Sequence, residues 1–246
     1  MTLSGRAALL TGGTRIGPVV ATALAARGVD VVVGFNRSPG PAEETVQAVR
    51  AFGRRALAVH ADLSQPEACR ALVARAATEL GRLDILVAMA SIYTRVRYDE
   101  LSAAQWEENL AVDLSSSFYC AQAAVPHMRA AGGGRIILFS DWISASGRPR
   151  YPAYLPYYVA KAGVIALGEA LALELAGDGI LVNTIAPGPI LPAANVTESE
   201  RQAVVKATPL GRWGGAEPIA TAVVALAESD FTTGEVVRVA GGRHLL

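Results

Sequence analysis

Excess charge, cysteine pairs and long apolar runs are all scarce in this sequence. Lys+Arg and Asp+Glu each number 22, a formal net charge of zero, so no electrostatic case exists for nucleic acid or an anionic membrane as partner. The longest strongly apolar run, Ile85 to Ala90, falls far short of the ~18–20 residues a membrane span needs. Met1 to Arg6 carry no charged stretch followed by an apolar one and a cleavage site, so no secretory signal is expected. The two cysteines, Cys69 and Cys120, lie in helical-looking stretches and read as buried thiols of a reducing, cytoplasmic compartment. The three histidines, His60, His127 and His244, make no HxxH pattern, and no CxxC occurs, so no zinc site is expected.

What is present is apolar. Hydrophobic residues make up 52% and charged ones only 18% of the 246, which excludes wholesale disorder and suits one buried α/β core. Candidate strands are Arg6–Leu10, Val29–Phe35, Arg55–Val59, Leu83–Met89, Arg135–Phe139, Leu181–Ile185 and Glu235–Val239. They run continuously apolar rather than alternating, as parallel strands covered on both faces do. Candidate helices fall at 18–28, 41–53, 66–80, 103–131, 154–176 and 216–228, with Gly28, Gly53, Gly81 and Gly177 placed for left-handed caps. The alternation predicts a single-domain, doubly wound parallel sheet of the Rossmann type with helices on both faces. The stretch 187–215, rich in Pro and Gly, begins at a strand's carboxyl end and is expected to act as a substrate lid.

The first strand runs into Thr11-Gly12-Gly13-Thr14-Arg15-Ile16-Gly17 and then a helix. Such a turn lets the backbone approach a pyrophosphate and aims helix N–H groups at it. The second strand ends in Asn36-Arg37-Ser38 with no acid for a ribose 2′-hydroxyl; the guanidinium suits a 2′-phosphate, hence NADPH over NADH. Asp62-Leu63 closes the third strand, where the carboxylate could accept from an adenine amine or open the next helix.

The chain resembles the short-chain dehydrogenase/reductase family. The carriers are the turn at 11–17, Asp62, Tyr157-Tyr158-Val159-Ala160-Lys161, Asn183 with Pro187-Gly188, and Val239-Ala240-Gly241-Gly242, in the family's order across nearly the whole length. The resemblance implies a seven-stranded sheet and a homo-oligomer, tetramer or dimer, packed through the helices near 103–131 and 154–176. It makes Tyr157 the proton donor and Lys161 the group that lowers the phenol's pKa and holds the nicotinamide ribose; spacing i, i+4 puts both on one helix face. Lowering a phenol from ~10 by roughly three units takes about 4 kcal/mol. Gly12, Thr14, Arg15, Ile16, Gly17, Asn36, Arg37, Ser38, Asp62, Leu63, Ala90, Ser91, Pro187, Gly188 and Ile190 are the expected nucleotide contacts.

Asp141 stands where the family carries its active-site serine, with Ser140 as rival if the register slips by one. An Asp here is similar to the pteridine reductase branch, as are Arg15 before Ile16-Gly17, Asn36-Arg37-Ser38, and Ala90-Ser91-Ile92-Tyr93, where Tyr93 would stack a pterin. On that reading Arg15, Ser91, Tyr93, Asp141 and Tyr157 meet substrate, and hydride goes to a C=N bond. A ketone or 3-oxoacyl reductase, or alcohol dehydrogenase, with the same Tyr and Lys is the alternative; a non-catalytic nucleotide binder is a third. Further departures are a glycine turn one residue short, Ala88-Met89-Ala90-Ser91 for the family's Asn-Asn-Ala-Gly, Asp113 for its helix Asn, and a longer 141–157 connection holding Trp142, Arg148, Pro149, Arg150 and Pro152.

Overall fold

The computed structural model describes residues 1–147, 149–192 and 196–245, so Arg148 and residues 193–195 of the expected lid lie outside the described residues. Seven parallel strands form one sheet: β1 Ala7–Thr11, β2 Asp30–Phe35, β3 Ala56–His60, β4 Ile85–Ala88, β5 Gly134–Phe139, β6 Ile180–Pro187 and β7 Val236–Val239. Their order is β3-β2-β1-β4-β5-β6-β7. The continuous apolar runs divide their side chains between two cores. Ala8, Leu10, Val31, Val33, Ile85 and Val87 face α1 (Gly17–Ala25), α2 (Pro39–Arg50) and α9 (Glu217–Glu228). Ala7, Leu9, Val32, Leu86, Ile136 and Leu138 face α3 (Pro66–Leu80), α5 (Ser116–Ala130) and α7 (Leu155–Leu175). Alternate residues of one strand thus enter opposite cores, which explains why the run carries no polar face.

Chain direction across the sheet reverses between β1 and β4, and the loops leaving their carboxyl ends part there to leave a crevice. Gly28, Gly53 and Gly81 take the left-handed conformation at helix ends, but Gly177 does not. The chain turns instead at Gly179, φ +67°, because α7 continues through a 3₁₀ turn at Ala176–Asp178.

Three further elements depart from expectation. The helix read as 103–131 is interrupted: α4 (Ala103–Leu110) passes through a π turn, Ala111–Ser115, into α5. The 187–215 stretch is not all irregular, for it holds α8 (Glu198–Lys206), whose Thr197 and Glu200 form a capping box. The 141–157 connection contains a four-residue helix, α6 (Trp142–Ala145). Cys69 and Cys120 are buried free thiols, and among the described residues no helix is long and apolar enough to cross a membrane and no cluster fits a metal ion.

Candidate active site

The glycine turn leaves β1 with Gly12 and Gly13 both at positive φ, and α1 begins at Gly17. Losing one residue tightens the loop instead of moving the helix: the N–H groups of Ile16 and Gly17 both reach the Gly13 carbonyl, at 3.0 and 2.5 Å. A Cβ on Gly12 would lie 2.8 Å from the Ala90 Cα, so only glycine fits. Met89, in place of an amide side chain, lies beneath the turn, with its Cε 3.1 Å from where a Gly13 Cβ would be. Across the crevice, a Cβ on Gly188 would lie 2.6 Å from the Ala240 Cα. Both glycines are therefore fixed by close packing against a neighbouring backbone. A recess of about 310 Å³, lined among others by Gly12, Thr14, Gly17, Phe35 and Thr45, opens between the turn and α2.

Of the expected nucleotide contacts, Gly12, Thr14 and Gly17 line this recess, and the others take separate places. Arg37 is strongly exposed at the end of β2, its guanidinium 3.8 Å from Glu108. Asp62 takes the Ser64 N–H and hydroxyl on one oxygen, at 3.1 and 2.9 Å, which is the turn-opening role, and Asn36 approaches the same oxygen at 3.4 Å. Arg15 donates to the Pro192 carbonyl at 2.6 Å, fastening the glycine turn to the start of the 187–215 stretch. Ile190 and Leu63 are buried among core side chains, and Pro187 ends β6. Asn183 bridges the Thr232 carbonyl and Glu235 N–H, tying β6 to the approach of β7.

The second recess, about 280 Å³, is lined by Tyr93, Asp141, Ser144, Arg150, Tyr154 and Tyr157 among others. Asp141 caps α6: one carboxyl oxygen accepts from the Ile143 N–H at 2.8 Å, and the other accepts from the Tyr157 hydroxyl at 3.0 Å. Its neighbour Ser140 is buried and donates to the Lys161 carbonyl at 2.7 Å, so the register does not slip and Ser140 has no place at the reacting end. Tyr93 stacks on Tyr154, centroids 4.4 Å apart, and meets the Tyr157 ring edge-on at 4.8 Å. Trp142 is flanked by the guanidinium groups of Arg150 and Arg243, each 5.6 Å from its ring.

Tyr157 and Lys161 share one face of α7, the ammonium 5.7 Å from the phenol ring. Lys161 is buried and donates to the Phe139 carbonyl at 3.0 Å, while Asp113, also buried, lies 3.2 Å from its Nζ. The expected lowering of the phenol by Lys161 is not what this surrounding produces. Burial, then the carboxylates of Asp141 and Asp113, hold Tyr157 well above the ordinary phenol value. Burial likewise raises Asp141, outweighing the Ile143 N–H, Tyr157 and Lys161, which pull it down. Ser91, expected at both nucleotide and substrate, gives its hydroxyl proton to Asp113. The resemblance puts Asp113 where the family's helix Asn supports a water chain to the lysine, whereas nothing in the sequence joined it to Ser91.

Residues 13–244 match the family model described as enoyl-(acyl carrier protein) reductase. A cis-4-hydroxycyclohexanecarboxylate dehydrogenase of Sinomonas cyclohexanicum is 36% identical, covering 96% of each chain. An L-rhamnose 1-dehydrogenase (NAD(P)(+)) of Sphingomonas sp. (strain SKA58) is 33% identical over 99% of this chain and 98% of its own. A 3-oxoacyl-(acyl-carrier-protein) reductase of Staphylococcus aureus (strain N315) is 31% identical over 98% of each. Among solved structures, a putative short-chain alcohol dehydrogenase from Sinorhizobium meliloti 1021 superposes with a TM-score of 0.92 at 33% identity, covering 99% of this chain and 98% of its own. A blue fluorescent protein from a metagenomic library, in complex with NADPH, gives 0.91 at 30% identity, covering 99% of each. The branch expected from Asp141 has no counterpart in these likenesses, which are to dehydrogenases and reductases of alcohols, sugars and oxoacyl groups. With the close-packed glycine turn, the Tyr157–Lys161 pair and full-length likeness in agreement, the chain belongs to the short-chain dehydrogenase/reductase family and is an oxidoreductase.

Proposed function

We propose that this protein is an NADPH-dependent reductase of a small carbonyl compound, interconverting a ketone and a secondary alcohol. One observation carries the reading: the Tyr157 hydroxyl, 3.0 Å from Asp141, stands in a recess of about 280 Å³, one helical turn from Lys161. The names of the similar proteins, acting on alcohols, a sugar and an oxoacyl group, support carbonyl chemistry. Bound at the crevice, the coenzyme supplies the hydride. Gly12, Thr14, Arg15, Ile16, Gly17, Ala90, Ser91, Pro187, Gly188 and Ile190 are assigned to its pyrophosphate and nicotinamide ends, Asp62 and Leu63 to its adenine, and Asn36, Arg37 and Ser38 to its 2′-phosphate. Lys161 keeps an ammonium N–H for the ribose beyond its bonds to Phe139 and Asp113.

Tyr157 passes its proton to the substrate oxygen as that oxygen gains negative charge. Asp141 replaces the family's serine as a donor. An ionised carboxylate there would repel a carbonyl oxygen; burial raises this group's pKa and so favours the protonated form, the one that can donate as a hydroxyl does. The 187–215 stretch, whose described part holds α8 and is tied to the glycine turn by Arg15, is assigned as the substrate lid. A second reading, reduction of a C=N bond in a pterin-like heterocycle, is favoured by the Tyr93–Tyr154 stack and by the carboxyl at Asp141.

NADPH oxidation measured against a panel of ketones, keto-sugars, 3-oxoacyl thioesters and dihydrobiopterin tests both. Turnover on the carbonyl panel is expected, falling at least 100-fold in Tyr157→Phe, with reduction declining as pH rises through the elevated pKa of Asp141. Asp141→Ser removes that decline while keeping ketone turnover. Turnover of dihydrobiopterin alone would replace the carbonyl reading with the second one.

A further inference from the structure

Beyond Asp141, the connection from β5 to α7 holds side chains that proton transfer does not use. Trp142, buried, opens α6, and Ser144 donates to the Tyr158 carbonyl at 3.3 Å, which seats α6 on α7. Further along, Ala153 takes φ +71°, the one non-glycine residue at positive φ among those described. Such a conformation persists only where neighbours enforce it. Here the Ala153 carbonyl accepts the Val96 N–H at 2.9 Å and ties this loop to the one that carries Tyr93. Arg150 lies between these two fastenings. Its guanidinium sits 5.6 Å from the Trp142 ring, with Nε and Nη2 shielded from bulk solvent, and it lines the second recess with Tyr93, Asp141 and Tyr157. Among the described residues lining that recess, Arg150 is the one base and Asp141 the one acid. Lys161 does not alter that balance, because Asp113 lies 3.2 Å from its Nζ. Burial favours the protonated form of Asp141. The recess therefore presents one full charge, and it is positive. Two further guanidinium groups, Arg243 at 5.6 Å from the same Trp142 ring and Arg238 on the Ala145 carbonyl at 2.6 Å, add to that sign around α6.

We propose that Arg150 anchors a carboxylate of the substrate, so that the compound reduced is a small oxo acid and not a neutral ketone. This deepens the carbonyl reductase reading and rests on it. A guanidinium presents parallel N–H donors that match both oxygens of a carboxylate. One guanidinium balances one carboxylate, whereas a phosphate dianion would keep an unmatched charge in the recess. At about 280 Å³ the recess falls below the ~300–1,000 Å³ of sites for drug-sized ligands, which favours a compact molecule over a long acyl thioester. Tyr93 and Tyr154, stacked at 4.4 Å, offer its carbon skeleton an aromatic wall. The acid end meets Arg150, and the oxo group is left to Tyr157 and Asp141.

Calorimetric binding of benzoate and of benzamide, which has nearly the same shape without the charge, tests this on the whole protein with and without NADP+. Neither probe is a ketone, so no turnover enters the measurement. Benzoate is expected to bind about tenfold tighter or more, as a charge-assisted pair gives. Arg150→Ala is expected to abolish the difference, and Arg150→Lys to restore part of it. In turnover, 4-oxopentanoate is expected to exceed its methyl ester in kcat/KM by a similar factor, carried by KM, and the two are expected to converge in Arg150→Ala. Equal binding of benzoate and benzamide to the unaltered protein, tighter binding of inorganic phosphate than of benzoate, or a preference that survives Arg150→Ala overturns the proposal. The first two need no variant, so a misfolded Arg150→Ala does not shield it. Loss of the acid preference while ketones are still reduced strikes Arg150 alone, whereas lack of any carbonyl turnover strikes the function.

Discussion

Asp141 sets the character of the reacting end by engaging two partners at once. Each of its oxygens has a separate partner, a helix N–H on one side and the Tyr157 hydroxyl on the other. At the nucleotide end the deciding residue is Arg37. Its guanidinium is exposed and only loosely opposed by Glu108, so it is available to an added phosphate. Arg37→Ala is expected to weaken NADPH binding roughly 10–100-fold, the worth of a charge-assisted hydrogen bond, and to leave NADH binding nearly unchanged. Fluorescence titration of the two coenzymes checks this; equal losses would remove the case for the phosphorylated form. Most of these residues were legible in the sequence because their spacing within one turn or one helix carries the message, as with Gly12 to Gly17 and Tyr157 to Lys161. Asp113 was visible only as a departure, since its partners Ser91 and Lys161 come from distant segments and meet only in the fold.

At the scale of elements, the π turn is what brings Asp113 inward. Ala111-Val112-Asp113-Leu114-Ser115 holds no Gly or Pro, and nothing in it breaks a helical period, so the interruption between α4 and α5 was not readable. The helix α8 was readable and missed. Thr197 followed three residues later by Glu200 is a capping-box signature, and both halves form, with the Thr197 N–H 2.8 Å from the Glu200 carboxylate. Thr197→Ala is expected to cost about 0.5–2 kcal/mol of local helix stability. Hydrogen exchange should then speed up several-fold in α8 while the melting temperature of the whole protein stays put. A matching rise in KM would tie α8 to substrate closure; faster exchange spread over the sheet would contradict the local account. The four residues of α6 were too few to show any period, and Gly179 rather than Gly177 became the cap because the end of α7 tightens before it turns.

For the molecule as a whole, an ion cluster around Asp84 and the candidate site lie at opposite ends of the same strands. The seven strands were legible because burial on both faces leaves continuous apolar runs. Their amino-terminal ends are pinned by a cluster around the buried Asp84 that no motif singled out. Burial alone would raise the Asp84 carboxyl, but Arg82, the Ala7 N–H and Arg6 together hold it below the ordinary carboxylate range. A depressed folded pKa contributes stability above the unfolded value of ~3.9 and loses it as pH falls through the folded one. Asp84→Asn should therefore destabilise by about 1–3 kcal/mol near neutrality, with the gap closing in strong acid. Urea unfolding across pH reads this out, and a constant gap would refute it. The crevice end imposes a different constraint. Gly12 against Ala90, and Gly188 against Ala240, leave no room for even one added carbon. Anyone redesigning what this catalyst accepts will find the two glycine contacts almost unalterable, and must work instead on Tyr93, Arg150 and Tyr151, whose side chains line the second recess.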